Sequence, residues 1–242
     1  LKSFCGIGVA VIEIGSNFVK LATTNVLFTN KIIQQAHLTN NMDFGAELND
    51  FFTNHYQENS LAYLGLSAKV ENPFRDQFAF FLHKKYPDDF VSREYSNGGN
   101  QRVDLAVINE GKGSKEFIEI KACYAFDLIN HLEEQYKRQI LTDYSKYPTE
   151  KIANITFILL SIRTDNCPSD KYKTIVKYYN KMSKCHKKIH STDEQRTRLM
   201  ANIQRWFANE HRVKLWLSET KNLGQAFGVN VYLDYFILKK LS

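Results

Sequence analysis

Proline is scarce in this chain, with four in 242 residues, and only eleven glycines accompany it. No stretch is rich enough in either to read as a flexible linker. Cysteine is equally sparse: Cys5, Cys123, Cys167 and Cys185, none in a CxxC pair. A disulfide framework is therefore not expected, and the thiols read as the reduced cysteines of a cytoplasmic protein. Cys167, Cys185, His186 and His190 match no common zinc-finger spacing. Long apolar runs are missing too. The apolar start, Phe4 to Ile12, stops at Glu13, is too short to span a bilayer, and is followed by no small-residue cleavage site. It reads as a strand, and no membrane partner is expected. The chain also lacks a Walker A sequence and a GxSxG elbow, which sets aside P-loop nucleotidases and α/β-hydrolases.

What is present is ordinary globular material, 43% hydrophobic and 24% charged. That supports a core of normal size. Lys and Arg number 32 against 26 Asp and Glu, a net charge of +6. A basic balance is consistent with a polyanionic partner.

Residues 5–14 and 18–23 are β-rich runs joined by Gly15-Ser16-Asn17, which predicts a hairpin, and 25–38 can add a strand. Phe44, Leu48, Phe51, Phe52 and Tyr56 predict a helix over 44–58. A second helix is expected from Asn72-Pro73, with Asn72 as N-cap, to about Tyr86. Strands follow at about 90–95, 102–108 and 116–121, then a long helix over 128–146. The apolar run 154–162 predicts a buried strand. Helices are expected at 170–189 and 193–210, and a final strand at 229–238. The centre is thus helix, three strands, helix, strand: a mixed α/β core with an antiparallel start and a crossover helix.

The chemistry concentrates in the hairpin of 102–108 and 116–121. A symmetric turn centred between Gly111 and Lys112 sets Val103 opposite Ile120 and Leu105 opposite Ile118, so the apolar faces coincide. The same register sets Asp104 opposite Glu119, and Lys121, two residues on, shares their face. Opposed like charges are unfavourable in a ladder. A divalent cation removes the conflict, since Mg²⁺ is often held by one or two carboxylates with waters and substrate phosphates. Such an ion activates water and stabilises charge on a phosphodiester.

The stretch from Glu71 to Ile162 resembles the core of the PD-(D/E)XK nucleases, which include many restriction and repair endonucleases. Their pattern is an acid on one strand and acid-x-Lys on the next. Here these are Arg102-Val103-Asp104-Leu105 and Ile118-Glu119-Ile120-Lys121, with fourteen residues between the acids. Val103 stands where the family name has proline, and Glu71 matches a glutamate that many members carry before these strands. The resemblance implies a restriction-endonuclease-like core, a mixed β-sheet flanked by helices, at 61–165. An N-terminal β and helical extension (1–60) would precede it, and a helical C-terminal extension with a final strand (166–242) would follow. It implies Asp104 and Glu119 as metal ligands, Lys121 as catalytic lysine, and Glu71, Gln135 and Gln139 as possible additional site residues. Mg²⁺ is the expected cofactor, with Mn²⁺ able to substitute. Arg102, Lys171, Lys173, Lys177, Lys187 and Lys188 are candidate phosphate contacts; residues 171–190 interleave lysines with three tyrosines. The expected function is a Mg²⁺-dependent endonuclease on double-stranded DNA, a type II restriction enzyme working as a homodimer. Alternatives are a structure-specific repair or defence nuclease, and a nucleic-acid-binding module without catalysis.

Overall fold

A strand that is apolar on both faces must be covered on both. Ile155–Thr164 is such a strand, buried at each of its ten residues. The computed structural model describes residues 42–57, 59–96, 102–129, 133–145 and 155–240, and places this strand inside a six-stranded sheet. The β element expected within residues 1–40 lies outside the described residues.

The chain enters through α1 (Phe44–Asp50), capped by the Asp43 carboxylate and extended by one π-helical turn, Phe51–His55. Next come α2 (Ser60–Ser67), α3 (Glu71–Lys85), β1 (Phe90–Ser96), β2 (Arg102–Asn109) and β3 (Ser114–Tyr124). They are followed by α4 (Ala125–Ile129), α5 (Glu133–Ser145) and β4 (Ile155–Thr164). The remainder is α6 (Tyr179–Lys188), α7 (Thr192–Ala208), β5 (Val213–Ala226) and β6 (Val229–Lys240). The strand order is β1-β2-β3-β4-β6-β5, antiparallel except for β3 beside β4. That parallel pair requires the crossover through α4 and α5. The fold is mixed α/β, a mixed sheet with helices on both faces.

One face carries Leu105, Ile118, Ile120, Ile158, Leu160 and Tyr235 against α1, α2 and α3. Phe51 centres that layer, its ring 5.6 to 6.0 Å from those of Phe74, Phe78 and Phe81. The other face packs Phe117, Phe157, Leu159 and Phe236 against Ile140 of α5 and Leu199, Ile203 and Trp206 of α7.

Several expectations change. The helix expected over 128–146 is described as α4, ending at Ile129, and α5, starting at Glu133. Helix α2 stands where no helix was expected. The first helix turns α to π at Phe51 and ends at His55. Helix α3 begins at Glu71, so Asn72 lies inside it; Val70, itself buried, is the N-cap and accepts the Phe74 N–H through its carbonyl. Of the helix expected at 170–189, only Tyr179–Lys188 is α-helical, after a short 3₁₀ turn at Asp170–Tyr172. A fourteen-residue strand, β5, stands where none was expected.

Candidate active site at the β2–β3 fork

The β2–β3 hairpin pairs Leu105 with Ile118 through Asn109 with Ser114, the register expected from the apolar alternation. Its turn closes on Gly113 at φ 65°, a left-handed conformation that suits glycine. Beyond Leu105 and Ile118 the backbone ladder stops and the strands fork. Val103 joins the α5/α7 side of the core, whereas Leu105 joins the other, so the expected strict alternation breaks at Asp104. Across from this point β1 carries Glu94 at φ 51°.

Forking leaves backbone N–H groups that need partners. Carboxylates supply them. The Ile120 N–H donates to Asp104 Oδ2 at 2.7 Å, and the Asp104 N–H donates to Glu119 Oε2 at 3.1 Å. One residue past Lys121, the Ala122 N–H donates to Glu71 Oε2 at 2.9 Å. Asp104 and Glu119 are thus laced together across the gap. Glu71 reaches the same stretch of β3 from the start of α3.

Glu119 is only 5% exposed. Burial and the adjacent Asp104 carboxylate push its carboxyl up to about 8. Lys121 lies on the same face, its Nζ 2.9 Å from Asp143 Oδ2 on α5. Burial opposes its charge, but the hydrogen bond to Asp143 and the charges of Glu119, Asp143 and Asp104 outweigh that and raise its pKa. Lys121 is therefore held as an ammonium. On the α3 side, buried Arg75 donates to Asp76 and Glu94, each at 3.1 Å.

Beside the fork lies a cavity of about 800 Å³. Lys69 and Glu71 line it on one side; Gln135, Tyr136, Arg138, Gln139 and Asp143 of α5 line the other, with Lys121 between. Gln135 and Gln139 therefore stand in the wall of the cavity that Lys121 enters. Asp104 and Glu119 are not among its lining residues. Arg102 is exposed and 3.4 Å from Glu94; Lys171 and Lys173, ahead of α6, and Lys187 and Lys188, at its end, are exposed, and Lys177, just before it, is half-buried.

Sequence reasoning missed Asp143, Lys69, Arg138 and Arg75. Asp143 had a signal, since Gln135, Gln139 and Asp143 follow at intervals of four and share a helix stripe. Among the described residues no three His, Cys, Asp or Glu side chains are grouped so as to hold a metal ion. The chain matches no protein-family model, no curated protein and no solved structure with which it was compared.

Proposed function

We propose that this protein is a Mg²⁺-dependent nuclease of the PD-(D/E)XK type that hydrolyses phosphodiester bonds in DNA. The observation that carries the reading is the convergence of Asp104, Glu119 and Lys121 at the β2–β3 fork. The element order supports it: helix, three antiparallel strands, crossover helices, then a parallel strand. A net charge of +6 suits a polyanionic substrate.

The residues fit a divalent cation. Two adjacent carboxylates, one so disfavoured as an anion that it titrates near 8, are a donor set that a hard cation relieves. Asp104 and Glu119 would hold the ion, Mg²⁺ or Mn²⁺, with waters and substrate phosphate completing its shell. Bound there, it would supply an acidified water and charge stabilisation at the phosphorus. Lys121, fixed by Asp143, places a permanent positive charge at the fork, where it stabilises the phosphorane-like transition state and orients the attacking water. A role as general base would need a neutral amine, contrary to the raised pKa. Within this class the preferred form is a type II restriction enzyme, whose two-fold dimer would cut both strands of a duplex site.

The test is incubation of plasmid and phage DNA with Mg²⁺, with EDTA, and with the variants Asp104→Asn and Lys121→Ala. Discrete fragments from wild type, lost with EDTA and reduced about 100-fold or more in both variants, support the reading in its sequence-specific form. Cleavage only of branched or end-containing DNA supports the structure-specific form. No cleavage under any divalent ion leaves a binding module.

A further inference from the structure

Tyr178 is 40% exposed, yet its backbone sits in the left-handed region at φ 60°. A bulky residue adopts that conformation only where its surroundings impose it, and such positions cluster at functional sites. The surroundings are specific. The Tyr178 ring stands edge-on to Tyr124 (5.3 Å, 77°) and Phe126 (6.4 Å, 70°), which stack on each other at 5.1 Å. The Tyr124 hydroxyl is within 3.0 Å of the Gly65 and Ala68 carbonyls at the end of α2. The Lys177 N–H donates to the Leu66 carbonyl at 2.7 Å. The ring is thus presented outward on a fixed base.

Two ammonium groups attend it: Lys177 Nζ and Lys181 Nζ each lie 5.3 Å from the ring centre. Lys181 is half-exposed, and its Nζ makes a long contact, 3.5 Å, with the buried Asp127 carboxylate. Asp127 also lies 3.5 Å from the Tyr136 hydroxyl, and Tyr136 lines the cavity that Lys121 enters. Tyr178 therefore connects to that cavity through Lys181, Asp127 and Tyr136.

We infer that Tyr178, Lys177 and Lys181 form a stacking site for an unpaired DNA nucleotide, the base on the tyrosine ring and its flanking phosphates on the two ammonium groups. An aromatic face with adjacent cations is the chemistry that binds single-stranded nucleic acid, because every base has a π face. Bases inside a duplex are already stacked on both sides, so the site selects a nucleotide at an end, a junction or an extruded position. The inference rests on the nuclease reading for its place along the strand. It adds to that reading a place beside the cut for one nucleotide, extruded from a duplex or already unpaired.

The test uses the full chain in EDTA, with fluorescently labelled oligothymidine and a blunt hairpin duplex of matched length. Tyr178→Ala is expected to weaken oligothymidine binding by roughly 5- to 100-fold, with a smaller effect on the duplex. Tyr178→Gly should show the same loss, although glycine suits the left-handed backbone and keeps the fold. Tyr178→Trp should retain binding, with its added emission quenched by oligothymidine. Lys177→Ala/Lys181→Ala should flatten the salt dependence. Trp216→Ala, which removes an exposed aromatic of β5 beside Lys214 and, on β6, Lys239, should bind as wild type. Folded Tyr178→Ala or Tyr178→Gly protein that binds oligothymidine as wild type does, or an equal loss in Trp216→Ala, overturns the inference. Cleavage assayed with Mg²⁺ separates the two readings: absent cleavage in wild type with an intact Tyr178 effect removes the nuclease and leaves the stacking site.

Discussion

Glu119 is the residue whose charge state governs the fork. Its carboxyl is raised from 4.5 to about 8 by burial and by Asp104, so the folded protein keeps a proton that the unfolded chain has lost. The sign follows from linkage: the folded state binds more protons between these values, so stability falls as pH rises from about 4.5 to 8. In EDTA, Glu119→Gln, which mimics the protonated acid, is expected to match wild type near pH 4.5. By pH 8.5 it should exceed wild type by a few kcal/mol, read from urea denaturation at each pH. A wild-type curve parallel to that of the variant would contradict this. On the proposed reading a cation must displace the same proton. The rise in melting temperature caused by Mg²⁺ should then grow with pH up to about 8 and vanish in Asp104→Asn.

At the scale of elements, side chains tie neighbouring strands together alongside the backbone ladder. Arg163 on β4 donates to Asp234 on β6 at 2.7 Å and to the Thr192 carbonyl at the start of α7 at 3.3 Å. Thr220 on β5 donates to the other oxygen of Asp234. Both charged side chains of the pair are under 5% exposed. Removing one partner leaves a buried charge, so Arg163→Met should cost about 3–5 kcal/mol. The double variant Arg163→Met/Asp234→Leu should recover much of it, which a double-mutant cycle in guanidinium would measure. Gly224 marks the irregular stretch of β5, at φ 88°; a Cβ there would lie 2.1 Å from the Asn59 side-chain oxygen, which accepts the Gln225 N–H. Gly224→Ala should therefore destabilise by about 1–3 kcal/mol, seen as an earlier urea midpoint.

For the whole molecule, the strand order matters more than the chain order. β6 lies between β4 and β5, so the last strand in sequence is interior to the sheet. Residues 61–165, the stretch expected to form the core, include β4 but neither its β6 partner nor the α7 layer that covers its second face. A fragment ending at residue 165 is expected not to fold, because β4 would expose an unpaired edge and an apolar face. Far-UV circular dichroism and amide exchange would show this. A cooperative, protected fragment would mean that the β5–β6 half is an accessory.

The sequence by itself determined the register of the hairpin from Leu105/Ile118 to Asn109/Ser114. It did not determine the expected pairing of Val103 with Ile120 and Asp104 with Glu119, where the ladder stops and Val103 turns to the other face. Leu105, Val107, Ile118 and Ile120 alternate with polar or opposite-facing residues, and a one-residue slip would expose them, so the pairing of 105 with 118 was legible. Strand β5 was not legible, because Ser218 to Gln225 is polar apart from Leu223 and Gly224, and shifts at Leu215/Leu217 and Asn222/Gln225 break the period of two. The start of α3 at Glu71 was hidden because its N-cap, Val70, is set by burial and not by capping chemistry. Only the tertiary structure decided that Asp143, twenty-two positions after Lys121 in the numbering, meets its ammonium at 2.9 Å. Only it decided that Glu71 satisfies Ala122 and that Tyr178 stands against Tyr124. Local periodicity specifies which face of an element is apolar, whereas the packing of α3, α5 and α6 against the sheet specifies which polar groups meet at its open fork.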